Sequence, residues 1–299
     1  MGLLADGRAY LIQRSAAATV RYGESLSFEG RDLPAPEVIR VPTRRGWVSV
    51  HVYRPPGVER PPVYVHAHGG AFVMRFPQMD DFFCRHVAAV CGAVVLNVDY
   101  DVAPQVRYPV AHEQLHDVAY WASGHGRDLA ADGTRVAIGG FSAGGNLAAA
   151  AALEARDEGT FSPRLQLLGV PALDVASAVT RDASTSGSMV TPRLQRLVRK
   201  TYFRDRSRRG EPYASPVLAP DLAGVAPAVV VTAARDALRE AGDRYARRLA
   251  AAGVPVTHHV VPEADHYFLD GNRTRARMTL DVLTDSLDSA FGRTVEHTE

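Results

Sequence analysis

The sequence predicts an α/β fold, with a mostly parallel central sheet, helices on both faces and a small helical cap. Three observations carry this expectation. Short runs rich in valine and isoleucine recur along the chain, several end in glycine- or aspartate-bearing turns, and helical patterns separate them. Runs that are apolar throughout suit strands buried on both faces. Strand and helix in alternation are the pattern of a parallel sheet covered on both sides.

Residues 1–35 read as helical before any strand, and Glu37–Tyr53, split at Thr43–Gly46, reads as an antiparallel hairpin. Val63–Ala67 then runs into His68-Gly69-Gly70, Ala93–Val98 into Asp99-Tyr100, and Arg135–Gly139 into Gly140-Phe141-Ser142. Helices are expected between them at Asp81–Val90 and Val110–Ser123, and after them at Asn146–Arg156. Further strands are expected at Leu165–Val170, Ala228–Thr232 and Val256–Val261, with helices at Ala237–Ala252 and about Arg275–Phe291. Residues about 175–212 interrupt the alternation as a polar, arginine-rich insert with a helix over Pro192–Phe203. The insert and residues 1–35 would both lie over the carboxyl ends of the strands, where such sheets hold their sites. The expected organisation is one catalytic domain over 36–292, with a cap from 1–35 and about 175–212.

Composition narrows the function classes. A chain of 299 residues, 46% hydrophobic, can bury a sizeable core. A net charge of +1 without a basic face or known module gives no reason to expect nucleic acid. No run of about 18 apolar residues is present, so no membrane insertion is expected. Asp6, Arg8 and Arg14 interrupt the first apolar stretch, which argues against a secretory signal and for a cytoplasmic protein. Cys84 and Cys91 fall on one helical face about two turns apart, too far to bridge, and read as reduced core thiols.

Gly140-Phe141-Ser142-Ala143-Gly144 fits the G-x-S-x-G nucleophile elbow. That motif needs a strand before it and a helix after it, and both are expected here. Small flanking residues let strand and helix approach closely while the serine oxygen projects into the site. The N–H of Ala143, next after the nucleophile, would point toward a developing oxyanion. A second donor must come from the loop after the third strand, where His68-Gly69-Gly70-Ala71 stands. Glycine there lets backbone N–H groups turn inward with no side chain intervening.

These motifs, with Asp99-Tyr100-Asp101-Val102-Ala103-Pro104, Tyr108-Pro109, Ser215-Pro216, Asp236-Ala237-Leu238-Arg239 and His266-Tyr267-Phe268, resemble the hormone-sensitive-lipase-like α/β-hydrolases, the bacterial family IV esterases. The resemblance covers roughly residues 40–291. It implies the α/β-hydrolase fold, with Ser142 as nucleophile, Asp236 as orienting acid and His266 as general base. It implies that Gly69, Gly70 and Ala143 donate to the oxyanion, and that His68 braces the loop without reacting. Gly140 and Gly144 support the elbow. The implied activity is hydrolysis of a small carboxylic ester with no cofactor and no metal, in a chain that could form a homodimer.

The chain departs from the family pattern at Phe141, where Asp or Glu is usual, at Ala71 for a third glycine, at Asp101 for an arginine and at Tyr267 for a glycine. None of these is a reacting group, but Phe141 and Tyr267 bear on the lining of the site. The same triad would also serve an amidase, lactonase or acyltransferase. A non-catalytic small-molecule receptor on this fold is a further alternative, disfavoured because His266 is present. A small polar insert and no apparent apolar lid predict acyl chains of about two to eight carbons.

Other residues compete for these roles. Asp243 and Asp265 also precede His266; Asp265 should point away from its neighbour, and Asp243 falls two turns into a helix, away from the strand end. His112-Glu113-Gln114-Leu115-His116 satisfies H-E-x-x-H, a zinc pattern. It lacks an obvious third ligand and falls on a scaffold helix, where the expected reading is a partly exposed face. His258-His259 lies in a strand, where neighbours point to opposite faces and cannot chelate one ion.

Overall fold

The computed structural model describes residues 2–20, 26–177, 188–269 and 271–293. Among them, eight strands form one sheet in the order β1-β2-β4-β3-β5-β6-β7-β8. They are β1 (Glu37–Thr43), β2 (Gly46–Tyr53), β3 (Val63–Ala67), β4 (Val94–Asp99), β5 (Val136–Phe141), β6 (Gln166–Gly169), β7 (Ala228–Ala233) and β8 (Val256–Val261). The hairpin β1–β2 is antiparallel and joins β4 antiparallel, while every pairing from β4 to β8 is parallel. The parallel strands are joined through α2 (Asp81–Val90), α3 (Val110–Gly124), α4 (Ala143–Glu158) and α6 (Arg239–Ala251), and α7 (Arg273–Ala290) follows β8.

The all-apolar runs bury side chains on both faces because alternate residues feed two cores. Val65, Leu96, Ile138 and Val230 pack with Leu115 of α3, Leu147 of α4 and Tyr245 of α6. Tyr64, Val95, Ala137, Val229 and Val231 pack on the other face with Phe83 of α2 and Leu280 and Leu283 of α7. Cys84 and Cys91 are free thiols buried in this second core, as expected.

Two helices stand outside this plan, α1 (Gly2–Thr19) and α5 (Pro192–Thr201), and they pack on each other. They carry the two segments expected to form a cap; residues 21–25 and 178–187 of those segments lie outside the described residues. The insert is less polar than its sequence suggests. Val198, Tyr202 and Phe203 are buried, and Tyr202 and Phe203 each lie 5.0 Å from the ring of Phe72 in the loop after β3. Arg193, Arg196, Arg204 and Arg206 of this segment are exposed while these apolar residues face inward, so its composition hides a buried seam.

At Gly140 and Gly144 the turn from strand to helix passes so close to the end of β3 that only glycine fits. A Cβ on either Gly140 or Gly144 would collide with the Ala67 carbonyl. Gly7, inside α1, has nothing within 4 Å of where its Cβ would be. Gly144→Ala is therefore expected to destabilise the fold by about 1–3 kcal/mol through overpacking. Gly7→Ala should stabilise it by up to about 1 kcal/mol by restricting the unfolded chain and favouring helix. Denaturant midpoints measure both, and an unchanged midpoint for Gly144→Ala would contradict the close approach.

Candidate active site

Ser142 sits between the last residue of β5 and the first residue of α4, with φ 56° and ψ −112°. A positive φ at a residue with a Cβ costs of order 1–3 kcal/mol and persists only where the surroundings hold it. Here they do: the Ser142 N–H donates to the Gly169 carbonyl at 2.8 Å, and the Ser142 carbonyl accepts from Asn146 N–H at 3.2 Å and Ala172 N–H at 3.0 Å. The Asn146 amide donates to the Ala172 and Ala214 carbonyls, tying the first turn of α4 to the loop after β6. The helix begins at Ala143, three residues earlier than the alanine pattern suggests, which makes the turn as tight as an elbow requires.

The structure brings Ser142, His266 and Asp236 into one line. His266 Nε2 lies 2.8 Å from Ser142 Oγ, and His266 Nδ1 lies 2.8 Å from Asp236 Oδ2. Asp236, in the turn after β7, is buried, and its other oxygen accepts the Leu238 N–H at 3.0 Å. Both rival acids are engaged elsewhere. Asp243 accepts from Thr232 Oγ and lies 3.1 Å from His258 Nε2. Asp265 accepts the His266 backbone N–H at 2.7 Å, the Ser188 hydroxyl and the Met189 N–H, so it clips the histidine loop to the segment before α5.

The loop after β3 departs from the expected donor set at one position. The Gly69 N–H points to Asp80 Oδ2, at 3.2 Å, instead of into the site. Asp80 is buried and lies 2.9 Å from His66 Nε2 through the same oxygen, so a carboxylate 11 residues downstream anchors the start of the loop. Among the described residues, the N–H groups of Gly70, Ala71 and Ala143 have no hydrogen-bond partner. Gly70 and Ala71 both have positive φ, 115° and 55°. Ala71 and Asp80 were not assigned roles from the sequence. The H-G-G-A string could have pointed to Ala71, whereas nothing in the string marks Asp80.

His68 fits the bracing role. Its Nδ1 lies 2.6 Å from the Gly69 carbonyl, its ring stacks on Tyr100 at 4.4 Å, and the Tyr100 hydroxyl donates to the His68 carbonyl at 2.7 Å. Burial pushes its pKa down to about 4, against the opposing pull of Asp80, so it stands neutral.

Ser142 and His266 open onto a cavity of about 450 Å³. Its lining is mostly apolar and is shared by both halves of the molecule: Ile12 from α1, Leu194 and Val198 from α5, and Phe141, Val170 and Tyr267 from the sheet side. Phe141 and Tyr267, the two departures that bear on the lining, both face it. Phe141 is fixed by Phe83, His66 and Phe268, with ring centres 4.7 to 5.5 Å away.

The H-E-x-x-H string lies elsewhere and is buried, not partly exposed: His112 is 2% and His116 0% accessible. The cause is α4, which packs on α3 and presents Glu154 to both histidines. His116, Glu154 and Glu158 could between them offer ligand atoms within 4.8 Å of one another. The Arg44 guanidinium already supplies positive charge there, 2.7 Å from Glu154 Oε1 and 3.0 Å from His116 Nδ1, while Glu113 of the string is paired with Arg45. Burial pushes His112 down to about 3 and Glu154 up to about 7, so both tend to neutrality. His258 lies toward Asp243 and Thr232.

A family model described as the α/β-hydrolase fold matches residues 64–270. The chain is 34% identical to the carboxylic ester hydrolase LipN of Mycobacterium tuberculosis over 80% of its own length and 67% of LipN. It is 32% identical to an arylesterase of Saccharolobus solfataricus, over 79% and 77% of the two chains. A solved hyperthermophilic esterase from the archaeon Pyrobaculum calidifontis superposes with a TM-score of 0.84 at 32% identity, covering 95% of this chain and 91% of that one. Fold, motif order and relatives converge, and the chain belongs to the α/β-hydrolase family, in its hormone-sensitive-lipase-like branch of carboxylic ester hydrolases.

Proposed function

We propose that the protein hydrolyses short-chain carboxylic esters through an acyl-enzyme on Ser142. The observation that carries this reading is the unbroken Asp236–His266–Ser142 chain, with both contacts at 2.8 Å, at the wall of an apolar cavity. The Ser142 hydroxyl passes its proton to His266 Nε2 as Oγ bonds to the acyl carbon. Charge then develops on the carbonyl oxygen, where the N–H groups of Gly70, Ala71 and Ala143 are proposed as donors, Gly69 being held by Asp80. The imidazolium gives its proton to the departing alcohol as the C–O bond breaks. Water repeats the sequence to release the acid. Asp236 accepts the Nδ1–H throughout, fixing the tautomer and stabilising the imidazolium. No step calls on a metal or cofactor.

The helices α1 and α5 are proposed as the cap, because side chains of both line the cavity. A cavity of this size favours short acyl groups: each added methylene contributes about 0.8 kcal/mol until the walls are reached. Among the described residues, no helix is long and apolar enough to cross a membrane. A cytoplasmic site of action is part of the proposal, and the two free, buried thiols fit a reducing compartment.

A panel of alkyl esters, amides and lactones, assayed with wild type and Ser142→Ala, tests the reading. Short esters should be the best substrates, with kcat/KM rising with acyl length and then falling. Ser142→Ala should lower kcat by about 10⁴ to 10⁶. Activity within about tenfold of wild type would exclude Ser142 as nucleophile.

The choice of acid has its own test. Asp236→Asn presents the wrong group to Nδ1 and should lower kcat by about 10⁴. Asp243→Asn and Asp265→Asn should each change it by less than about tenfold. A crippled Asp265→Asn beside a mild Asp236→Asn would reverse the assignment.

A further inference from the structure

The described cavity wall carries a single arginine, Arg199, on the last turn of α5. It is half-buried, and its guanidinium makes no hydrogen bond, ion pair or ring contact among the described residues. The two carboxylates that share the wall are already engaged. Asp80 holds His66 and Gly69, and Asp174 accepts the N–H groups of Ala176 and Ser177 and the Ser177 hydroxyl. Arg199 thus stands in the wall of a mostly apolar cavity with no hydrogen-bond or ion-pair partner for its guanidinium among the described residues.

The local field adds to this. Burial and the neighbouring Arg209 hold the pKa of Arg199 below the ordinary guanidinium value, with Asp174 pulling the other way. Arg209 is itself locked to backbone, donating to the Phe203 and Arg199 carbonyls, so its charge is fixed beside the cavity wall. The position of Arg199 relative to the chemistry is also fixed. One turn on, Tyr202 stacks against Phe72, which directly follows Ala71 of the donor loop, and the Tyr202 hydroxyl accepts the Ala111 N–H at 3.0 Å. A half-buried guanidinium without a hydrogen-bond partner, on a helix anchored in this way, is a ready partner for a carboxylate, which its planar fork can grip with two parallel bonds.

We infer that Arg199 is a specificity residue for esters that carry a carboxylate remote from the scissile bond, an inference that rests on the ester-hydrolase reading. The substrate class is the hemiester of a dicarboxylic acid or the acyl ester of a hydroxy acid. The other end of the substrate occupies the apolar part of the cavity, and the product of hydrolysis is a free dicarboxylate or a free hydroxy acid.

Two matched pairs of esters test this, with acid release followed by titration. Monoethyl adipate is compared with ethyl heptanoate, which places the charge on the acyl side. The butyryl ester of 4-hydroxybutanoate is compared with pentyl butyrate, which places it on the leaving-group side. Wild type should prefer the charged member of at least one pair. In Arg199→Met the charged-to-neutral ratio of kcat/KM for that pair should fall by about tenfold or more, chiefly through KM, and Arg199→Lys should keep part of the preference. A purely structural role would lower both rates together and leave the ratio unchanged. An unchanged ratio in both pairs, with the neutral esters still hydrolysed by wild type, overturns the inference alone. A wild-type protein inert toward all four esters overturns the hydrolase reading and this inference with it.

Discussion

The turn at Ser142 has to satisfy two demands at once, and most of the molecule is arranged around that. A side-chain-bearing residue must hold φ 56° between a strand and a helix, and the helix must start within one residue of it. The first demand is met by three backbone hydrogen bonds that lock the Ser142 peptide to the ends of β6 and α4. The second is met by having no side chain at Gly140 and Gly144, where the chain passes the Ala67 carbonyl. Because β5 pairs with β3, the same contact sets the distance from the serine to the loop that follows β3. A strained turn is tolerable here because two extended cores, one on each face of the sheet, supply the stability that offsets it.

Around the turn, polar groups divide into those that are satisfied and those that are left open. Asp80 is tied to His66 and Gly69, His68 to Gly69 and Tyr100, and Asp265 to the segment before α5. These bonds tie the loops around the turn to one another. The open donors, at Gly70, Ala71 and Ala143, belong to residues that line the same cavity as Ser142, and the buried His68 stands neutral. Donors held rigid in an apolar site stabilise developing charge without reorganising, which is where such sites gain most of their rate.

The sheet was legible in the chain because its strands are continuous apolar runs and its turns carry glycine, both local signals. Ser142 was legible as a candidate from its glycine-flanked elbow and Asp236 from its place after a strand, whereas the role of His266 came from the family resemblance. What could not be read locally depends on contacts between residues far apart in the chain. The engagement of Gly69 by Asp80 needs the short turn before α2 folded back under β3. The burial of His112 and His116 needs Glu154 from α4 and Arg44 from the β1–β2 turn. The apolar seam of the insert becomes visible only when Tyr202 and Phe203 meet Phe72, some 130 residues earlier in the chain. In each case the sequence supplies the residue type and the fold supplies the partner.

Covalent labelling of the serine addresses the central claim most directly. Diethyl 4-nitrophenyl phosphate carries a phosphorus centre that an activated serine attacks, expelling 4-nitrophenolate and leaving a stable phosphoserine diester. Intact-mass measurement and peptide mapping should find a single diethylphosphoryl group, on Ser142, forming in step with nitrophenolate release and with loss of ester turnover. Modification of a different residue, or full ester turnover persisting in fully labelled protein, would contradict the elbow serine as the nucleophile.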